Sequence, residues 1–306
     1  MSKRIYARIA LLGLTIGVGL AVAVHVEAAS PKVTPPDTVR LQPGTFDYRL
    51  AGDFTRNGRT VDAPVANIRI DRPLTIMRTQ VSAADYDLCV SDGACRSRQD
   101  GPGRADFPVV GVSWFDATAY AGWLSKKTGQ VWRLPSDEEW TFAAGSRATD
   151  EALELGEDAG FVARWMAKYE QEARRTGSAE KGAQAFGSFG ANENGLVDVA
   201  GNVWEWTNTC FTRYSLDETG ARKSQPTVNC GVRVVAGEHR SYITDFIRDP
   251  KSGGCSVGTP PANLGFRLMR DEAAETKPLL ARLFVKIQGT MDRFGAGAWG
   301  DRLGLH

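Results

Sequence analysis

Two segments in the first half of the chain carry apolar residues at helical spacing, and a serine stands directly before each one. Ser82 precedes a stripe that runs to about Val90, and Ser113 precedes a longer stripe that continues through Thr128 and ends at Gly129. A serine in this position can accept a hydrogen bond from the first helical turn, and glycine commonly ends a helix. The pattern predicts two helices, each with one apolar face.

The sequence RLPSDEEW at residues 133–140 predicts the start of a third helix. Ser136 and Glu139 have the spacing of a capping box, in which each side chain bonds the other residue's backbone N–H. The buried face of this helix is expected to begin with Trp140, Phe142 and Ala143. The motif therefore has an architectural role.

The pattern changes in the second half of the chain. Residues 150–184 are charged and compatible with helix, and Trp165, Met166 and Tyr169 are spaced to form one apolar face. Beyond Gly187, glycines and short apolar runs replace the helical spacing. We expect loops and short strands there.

The N-terminus has the pattern of an export signal. Basic residues precede an apolar run from Ile9 to Val24, and Ala28 ends a small-residue site of the kind that a signal peptidase cleaves. The alternative is a retained anchor helix, although the run is shorter than the ~20 apolar residues that span a bilayer. Residues 1–28 are predicted to be a signal peptide, so we expect a periplasmic or secreted protein with no stable membrane span after cleavage.

The remaining chain divides into a linker at residues 29–37, a folded domain at residues 38–271 and a tail at residues 272–306. Apolar residues at helical spacing in the tail predict an amphipathic helix. These are Leu279, Leu280, Leu283, Phe284, Ile287 and Met291. We expect this helix to pack back on the domain, and docking on a partner is the alternative.

The composition excludes one class of partner. Hydrophobic residues make up 42% of the 306 positions, which is ordinary for a globular protein. The 37 basic and 36 acidic side chains nearly cancel, so no long-range field of one sign can attract nucleic acid. We expect no nucleic-acid partner.

If the protein is exported, its five cysteines are expected to form disulfides, because thiols are oxidised in such compartments. The expected bonds are Cys89 with Cys95, and Cys210 with Cys230, the second closing the polar segment from Phe211 to Asn229. Cys255 would be left over. A bond from Cys255 to Cys210 or to Cys230 is an open alternative, because spacing alone does not fix connectivity.

Five motifs occur in a fixed order between about Val39 and Met269: GVSWFDATAYAGWL, RLPSDEEW, GNVWEW, HRSY and NLGFR. This combination resembles the formylglycine-generating enzyme, or sulfatase-modifying factor, family, which includes the ergothioneine-forming sulfoxide synthase and the pyoverdine maturation protein. The resemblance implies an α+β fold, a variant of the C-type lectin fold with little regular secondary structure. That expectation agrees with the mixed pattern of helices and short strands.

The resemblance also implies a calcium site within GNVWEW. In formylglycine-generating enzymes the matching segment binds Ca²⁺ through carbonyl and carboxylate oxygens, which suit a hard cation. The corresponding residues are Gly201, Asn202, Val203 and Glu205. In the alternative, Glu205 forms a salt bridge and Asn202 caps a turn.

The reactive metals of the family are not expected. Formylglycine-generating enzymes hold Cu(I) with a cysteine pair near HRSY, and here Ile243 takes one of those positions, with no cysteine from Gly231 to Gly254. The iron-dependent relatives use a histidine triad, whereas His239 is the one histidine inside the predicted domain. We therefore expect neither a thiolate copper site nor a histidine iron site.

Polar side chains are concentrated between Val235 and Asp249, where the family has its active site. His239 is the natural acid–base candidate, because an imidazole titrates near neutral pH, and guanidiniums bind carboxylates. The candidate catalytic residues are His239, Glu238, Tyr242 and Asp245. The candidate substrate-binding residues are Arg240, Arg248, Trp114 and Arg267. In the alternative, His239 and Arg240 bond the core, and Asp245 pairs with Arg248.

Two functions follow from the sequence. The first is an exported oxidoreductase-type maturation factor that lacks the copper cysteines and is not a true formylglycine-generating oxidase. The second is a non-catalytic periplasmic module that binds a protein or a small molecule. GACR, TNTCF and VNCGVRVV resemble the nitrite reductase accessory proteins of denitrifying bacteria, which implies a periplasmic accessory role in denitrification.

Overall fold

The structure is a computed structural model that describes residues 33–98, 103–155, 159–175, 182–249 and 263–275. The predicted signal peptide, Cys255 and the predicted tail helix lie outside these residues. The strands are β1 (Thr38–Leu41), β2 (Gly44–Arg49), β3 (Asp53–Arg56), β4 (Arg59–Val61), β5 (Val65–Ile70), β6 (Leu74–Met77), β7 (Trp132–Arg133), β8 (Trp204–Leu216), β9 (Thr227–Ala236), β10 (Arg240–Thr244), β11 (Leu264–Gly265) and β12 (Met269–Arg270). The helices are α1 (Ala83–Ser91), α2 (Trp114–Thr128), α3 (Asp137–Ala144), α4 (Phe161–Arg175) and α5 (Glu272–Glu275).

Three sheets organise the described residues. A four-stranded sheet has the order β1-β6-β12-β7, and a two-stranded sheet pairs β2 with β5. The largest sheet has the order β10-β9-β8-β3-β4, with β11 pairing beside β8. Helices and sheets are thus both present in one domain, and the predicted α+β class is confirmed.

GNVWEW and NLGFR lie next to each other in the largest sheet. β8 begins within GNVWEW, and β11 within NLGFR pairs with it in parallel, with Leu264 opposite Trp204 and Gly265 opposite Glu205. A Cβ on Gly265 would lie 2.3 Å from the carbonyl oxygen of Val109, so only glycine fits there. The order of these motifs along the chain therefore reflects a contact in the fold.

The three predicted caps are confirmed. The Ser82 side chain accepts a hydrogen bond from the backbone N–H of Asp85 at α1. Ser113 and Ser136 form capping boxes at α2 and α3, and Gly129 ends α2 in the left-handed conformation. Tyr86, Tyr120 and Phe266 pack their rings together beneath α1 and α2, which shows why these helices need one apolar face.

The expectation of short strands beyond Gly187 is wrong for the β8–β9 hairpin. β8 has 13 residues and β9 has 10. The first four residues of β8 are all buried and its pairing with β9 shifts register near Cys210, so the alternation that reveals a strand is interrupted.

Both expected disulfides are present. Cys89 is bonded to Cys95, and Cys210 is bonded to Cys230 across the β8–β9 hairpin. Among the helices of the described residues, none is both long and apolar enough to cross a bilayer.

Candidate functional site

A cavity of about 230 Å³ lies between β2, α3 and the turn that follows α3. Its aromatic lining consists of Phe46, Tyr48, Trp140 and Phe142. Its charged lining consists of Asp47, Arg49, Asp137, Asp150 and Arg240. The cavity is therefore apolar on one side and ionic on the other, which is the usual composition of a small binding site.

Tyr48, Asp137 and Arg240 form a buried network at the wall of this cavity. The Tyr48 hydroxyl donates to Asp137 Oδ2 at 2.6 Å, and Arg240 Nη2 lies 2.8 Å from the same oxygen. Asp137 is placed there because it is the first residue of α3, directly after the Ser136 cap. The side chains of Arg240 and Asp137 are only 4% and 1% exposed, so this charge pair is almost fully removed from water.

Glu151 extends the network on the other side of Arg240. Arg240 Nη1 lies 3.0 Å from Glu151 Oε2, and the Tyr242 hydroxyl donates to Glu151 Oε1. The same hydroxyl accepts a hydrogen bond from the backbone N–H of Gly52 at 2.8 Å. Arg240 is thus held between two carboxylates, and each carboxylate also accepts from a tyrosine.

Burial dominates the proton affinities in this network. Burial raises the pKa of Glu151, and the nearby Arg240 offsets only part of that rise. Burial, followed by the Asp137 charge, raises the pKa of Tyr48, and burial with Glu151 raises that of Tyr242. Burial by itself lowers the pKa of Arg240, but Asp137 and Glu151 raise it above its ordinary value, so Arg240 remains a cation.

One donor of Arg240 is left over. Its terminal nitrogens also bond the backbone carbonyls of Arg49 and Leu50, at 3.0 and 3.5 Å. Arg240 Nε is buried and has no hydrogen-bond partner among the described residues. A buried N–H without a partner is costly, and this one belongs to a residue that lines the cavity.

His239 and Glu238 lie in the bend between β9 and β10, and neither lines the cavity. The His239 side chain is buried, with Nδ1 2.8 Å from the carbonyl oxygen of Arg240, and its ring meets that of Trp204 edge-on. Because a carbonyl oxygen only accepts, this contact requires a proton on Nδ1. Gly237 is needed in the same bend, because a Cβ there would lie 2.6 Å from the Trp204 ring.

Asp245 and Trp114 meet at the start of α2. The backbone N–H of Trp114 donates to the carbonyl oxygen of Asp245 at 3.0 Å, and the Arg233 guanidinium lies 4.0 Å from the centre of the Trp114 ring. Burial raises the pKa of the Asp245 carboxyl, and Arg233 lowers it in part. These residues connect β9 and α2 away from the cavity.

Arg248 pairs with Asp116 and not with Asp245. Its Nε and Nη2 donate to the two oxygens of Asp116 at 2.7 and 2.8 Å, which is the bidentate geometry that guanidiniums favour. The same Asp116 also completes the Ser113 capping box. The alternative in which Asp245 pairs with Arg248 is therefore wrong, and Arg248 instead connects its loop to α2.

Arg267 pairs with Glu205, and both side chains are fully buried. Each oxygen of Glu205 accepts two hydrogen bonds: Oε1 from Gln80 and Arg267, and Oε2 from Trp140 and Arg267. This geometry corresponds to the alternative in which Glu205 forms a salt bridge. Arg267 holds GNVWEW to NLGFR and lies outside the lining of the cavity.

The side chains of the predicted calcium segment do not fit a cation held through Glu205, because both of its oxygens are already used. Asn202 is also occupied, since its side-chain oxygen and nitrogen both bond the backbone of Gln184 at 2.8 Å. The amide oxygen of Gln80, however, is buried beside Glu205 without a partner in the described part of the chain. Calcium at Gly201, Asn202, Val203 and Glu205 stays a prediction, and these side-chain contacts do not favour it.

Ile243 stands where the resemblance places a copper-binding cysteine. It is fully buried and packs in the main apolar cluster with Trp114 and Trp206. Its hydrocarbon side chain supplies no metal ligand. In the described residues, the four cysteines are all disulfide-bonded.

Of the predicted site residues, the structure joins Arg240 and Tyr242 through Glu151. It brings Trp114 to Asp245 elsewhere, and neither of these two lines the cavity. Sequence reasoning missed Tyr48, Asp137 and Glu151. One signal was available, because the capping box of α3 uses Ser136 and Glu139 and leaves the Asp137 carboxylate without a capping role. The other two residues lie about ninety positions from Arg240 or Asp137, too far for a local pattern to indicate.

Several known proteins are similar to this chain. The formylglycine-generating enzyme of Streptomyces coelicolor is 29% identical over 265 residues, covering 78% of this chain and 81% of that enzyme. Inactive C-alpha-formylglycine-generating enzyme 2 of Bos taurus is 36% identical over 178 residues, covering 55% of this chain and 53% of that protein. The solved structure of PvdO from Pseudomonas aeruginosa matches with a TM-score of 0.47 at 20% identity, covering 77% of this chain and 94% of that one.

The family comparison covers most of the chain. Residues 24–272 match the sulfatase-modifying factor enzyme 1-like domain. The fold is therefore the formylglycine-generating-enzyme-like variant of the C-type lectin fold, as the motifs predicted. The chain belongs to the sulfatase-modifying factor, or formylglycine-generating enzyme, family.

Proposed function

We propose that this chain is a binding module of its family, with the cavity beside Arg240 as the ligand site. The observation that carries the proposal is the buried Nε of Arg240, which has no partner among the described residues and belongs to a side chain in the cavity wall. A ligand that places a hydrogen-bond acceptor there removes the cost of the unfilled donor. The residues that bind would be those of the cavity and not the predicted catalytic set.

The cavity favours a neutral ligand with an amide-like oxygen. Four of its five charges are already paired, because Arg240 lies against Asp137 and Arg49 donates to Asp150 at 2.9 Å. At about 230 Å³ it is smaller than typical sites for drug-sized molecules, which start at roughly 300 Å³. One apolar side chain of a peptide, with its carbonyl toward Arg240, matches this volume and the aromatic wall.

Such a module would act as an accessory or maturation factor for an exported protein. The predicted signal peptide supports a periplasmic or secreted location, and the GACR, TNTCF and VNCGVRVV segments support a role beside nitrite reductase. A bovine family member carries the word inactive in its name, so a non-catalytic member has a precedent. The partner is then a periplasmic protein that presents a peptide segment.

The test is a titration with a panel of N-acetyl amino-acid methylamides, followed by NMR of the arginine Nε–Hε signals. We expect at least one apolar member to shift the Arg240 signal. Arg240→Lys keeps the charge but removes Nε, and should weaken binding by about tenfold or more, since a hydrogen bond to a charged group contributes about 1.5–3 kcal/mol.

Arg133→Lys is the matched control, because Arg133 also lies between two carboxylates, those of Glu139 and Asp271. This variant should bind like the parent chain. A panel in which no member moves the Arg240 signal would contradict the proposal, and so would equal affinity in Arg240→Lys.

A second candidate function is an oxidoreductase-type maturation enzyme, and one contact favours it. Burial raises the pKa of both Glu151 and Tyr242, which share a hydrogen bond, so the carboxyl keeps its proton to higher pH than an exposed glutamate does. Such a pair can pass a proton during catalysis. Oxygen uptake with thiol- and catechol-containing peptides tests this: uptake that is lost in Tyr242→Phe and His239→Ala but kept in Arg133→Lys would favour the enzyme.

A further inference from the structure

Helix α4 is oriented with its apolar side toward solvent. Its large apolar residues are strongly exposed: Phe161 by 83%, Val162 by 70%, Trp165 by 56%, Met166 by 43% and Tyr169 by 63%. They follow one another at helical spacing, and the rings of Trp165 and Tyr169 stack at 5.9 Å. A surface helix normally turns such a stripe to the core, so this one presents a surface to a partner.

The opposite side of α4 holds the helix to the domain. The less exposed positions are Arg164, Ala167, Lys168 and Gln171, which have the spacing of one helical face. Arg164 pairs with Asp62 at 3.2 Å, and the Gln171 side chain donates to the carbonyl oxygen of Ala152 at 3.1 Å. These polar contacts position the helix without burying its aromatic residues.

The charge of α4 distinguishes between partners. The helix contains four basic and two acidic residues, so it is basic overall. The predicted tail helix is also basic, with Lys277, Arg282 and Lys286 and no acidic residue between positions 276 and 291. Like charges disfavour docking of the tail on α4, and they disfavour docking of α4 on a second copy of itself.

A lipid surface fits both properties of the helix. A basic amphipathic helix with low overall hydrophobicity and exposed aromatic residues is the kind that lies in the interface of a bilayer. Trp and Tyr prefer that interface, because their rings have an apolar body and a polar edge. Each basic residue near an anionic surface adds about 1 kcal/mol of attraction.

We infer that α4 is a membrane-docking surface whose partner is a bilayer containing anionic phospholipid. Phe161, Trp165 and Tyr169 enter the interface, and the net positive charge of the helix adds attraction to an anionic surface. This surface is separate from the cavity, because no residue of α4 lines that cavity. The inference therefore does not depend on the proposed function.

The experiment measures co-sedimentation with vesicles, using the chain from Ala29 onward. This form leaves out the predicted signal peptide, and the described residues belong to a compact unit that starts at Val33. Vesicles of phosphatidylcholine alone are compared with mixtures of phosphatidylcholine and phosphatidylglycerol. We expect binding to the mixture to be at least about tenfold stronger than to the neutral vesicles, and to weaken as salt is raised.

The variant that combines Phe161→Ser, Trp165→Ser and Tyr169→Ser should lose at least about tenfold in binding to the mixed vesicles. Its folding should survive, because all three side chains are exposed, and circular dichroism checks this. The matched control is Phe246→Ser, which removes an aromatic side chain that is 66% exposed elsewhere on the surface. A second control changes Leu280→Ser and Phe284→Ser in the tail.

Four results would overturn the inference. These are no binding to mixed vesicles, equal binding to neutral vesicles, parental binding by the α4 variant, or loss of binding in the tail variant alone. A dimer of the parent chain that dissociates in the α4 variant would assign this face to a second copy instead.

Discussion

Two buried guanidiniums, those of Arg267 and Arg240, are both paired with carboxylates but differ in how completely they are bonded. Each nitrogen of Arg267 donates to Glu205 or to a backbone carbonyl. Glu205 accepts four hydrogen bonds, two from Arg267 and one each from Gln80 and Trp140. Arg240 has two carboxylate partners but keeps one buried donor without a partner in the described residues. The first pair is a completed structural joint, and the second borders a cavity.

This difference indicates which part of the molecule is available to bind a ligand. The motifs that identify the family, GNVWEW and NLGFR, meet at the completed joint. The cavity is built from Tyr48, Asp137 and Arg240, of which only Arg240 lies in the segment that the resemblance pointed to. Asp137 and Arg240 also lie in motifs, RLPSDEEW and HRSY, so the motifs mark both the joint and the cavity wall.

The largest expected effect tests the completed joint. Glu205→Gln leaves the Arg267 cation buried without a counter-charge, and we expect unfolding to become easier by about 3–5 kcal/mol in urea denaturation. Replacing both partners together, as Glu205→Leu with Arg267→Met, should recover part of this loss, because no charge is then left alone. A loss of less than about 1 kcal/mol in the single variant would mean that water reaches the Arg267 cation and that the pair is not buried in solution.

The next effect tests the cavity network. Tyr48→Phe removes the hydroxyl that donates to Asp137, and should reduce the free energy of unfolding by about 1.5–3 kcal/mol, since the acceptor is charged. Tyr214→Phe is the matched control, because the ring of Tyr214 stacks on Phe54 and should keep that contact. We expect the control to change stability by no more than about 0.5 kcal/mol. Equal losses in the two variants would contradict the network.

A third prediction uses pH. The pKa of Glu151 is raised above its ordinary 4.5 in the folded protein, so the folded state binds this proton more tightly than the unfolded state does. The contribution of Glu151 to stability should therefore fall as pH rises from 4.5 through the folded pKa, and then stay level. The difference in unfolding free energy between the parent and Glu151→Gln should show this fall, at no more than about 1.4 kcal/mol per pH unit.

For Glu139→Gln, the difference in unfolding free energy from the parent should change with pH in the opposite direction. Burial tends to raise the pKa of Glu139, but Arg133 lowers it below the ordinary value, so its contribution is present above 4.5 and lost as pH falls through the folded pKa. Urea denaturation over a pH series measures both differences. Slopes of the same sign for the two variants would show that Glu151 is not held in its protonated form by burial.

The smallest expected effect comes from the surface. Arg40 and Glu272 lie 2.6 Å apart, with side chains 52% and 35% exposed. Glu272→Gln should change the unfolding free energy by at most about 1 kcal/mol, because solvent screens exposed ion pairs. A larger loss would indicate that exposure alone does not separate weak pairs from strong ones in this protein.

The parts of the fold that sequence predicts are those set by local chemistry. Helices α1, α2 and α3 were predictable because a capping serine and the stripe that follows it lie within one short segment. The Cys210–Cys230 bond was predictable for a similar reason, since it closes one hairpin. The long strands β8 and β9 were not, because buried runs and register shifts hide their alternation.

The candidate site was predictable only through Arg240 and Tyr242. Tyr48 meets Asp137 from 89 positions away, and Gly52 meets Tyr242 from 190 positions away. Such contacts depend on the packing of β2 against α3 and β10, which no local pattern encodes. The orientation of α4 was also outside the reach of sequence, because the spacing of Trp165 and Tyr169 indicates a face but not the direction in which it points.

The parallel pairing of β8 with β11 has a kinetic consequence. Glu205 and Arg267 are 62 positions apart, so their joint closes only after the chain between them has been brought together. We expect this contact to form after the rate-limiting barrier to folding, because closing a long loop costs entropy before the contact stabilises the chain. We therefore expect the loss of this joint to raise the unfolding rate far more than it lowers the folding rate. The main effect of the joint would then be to keep the unfolding rate of the native protein low.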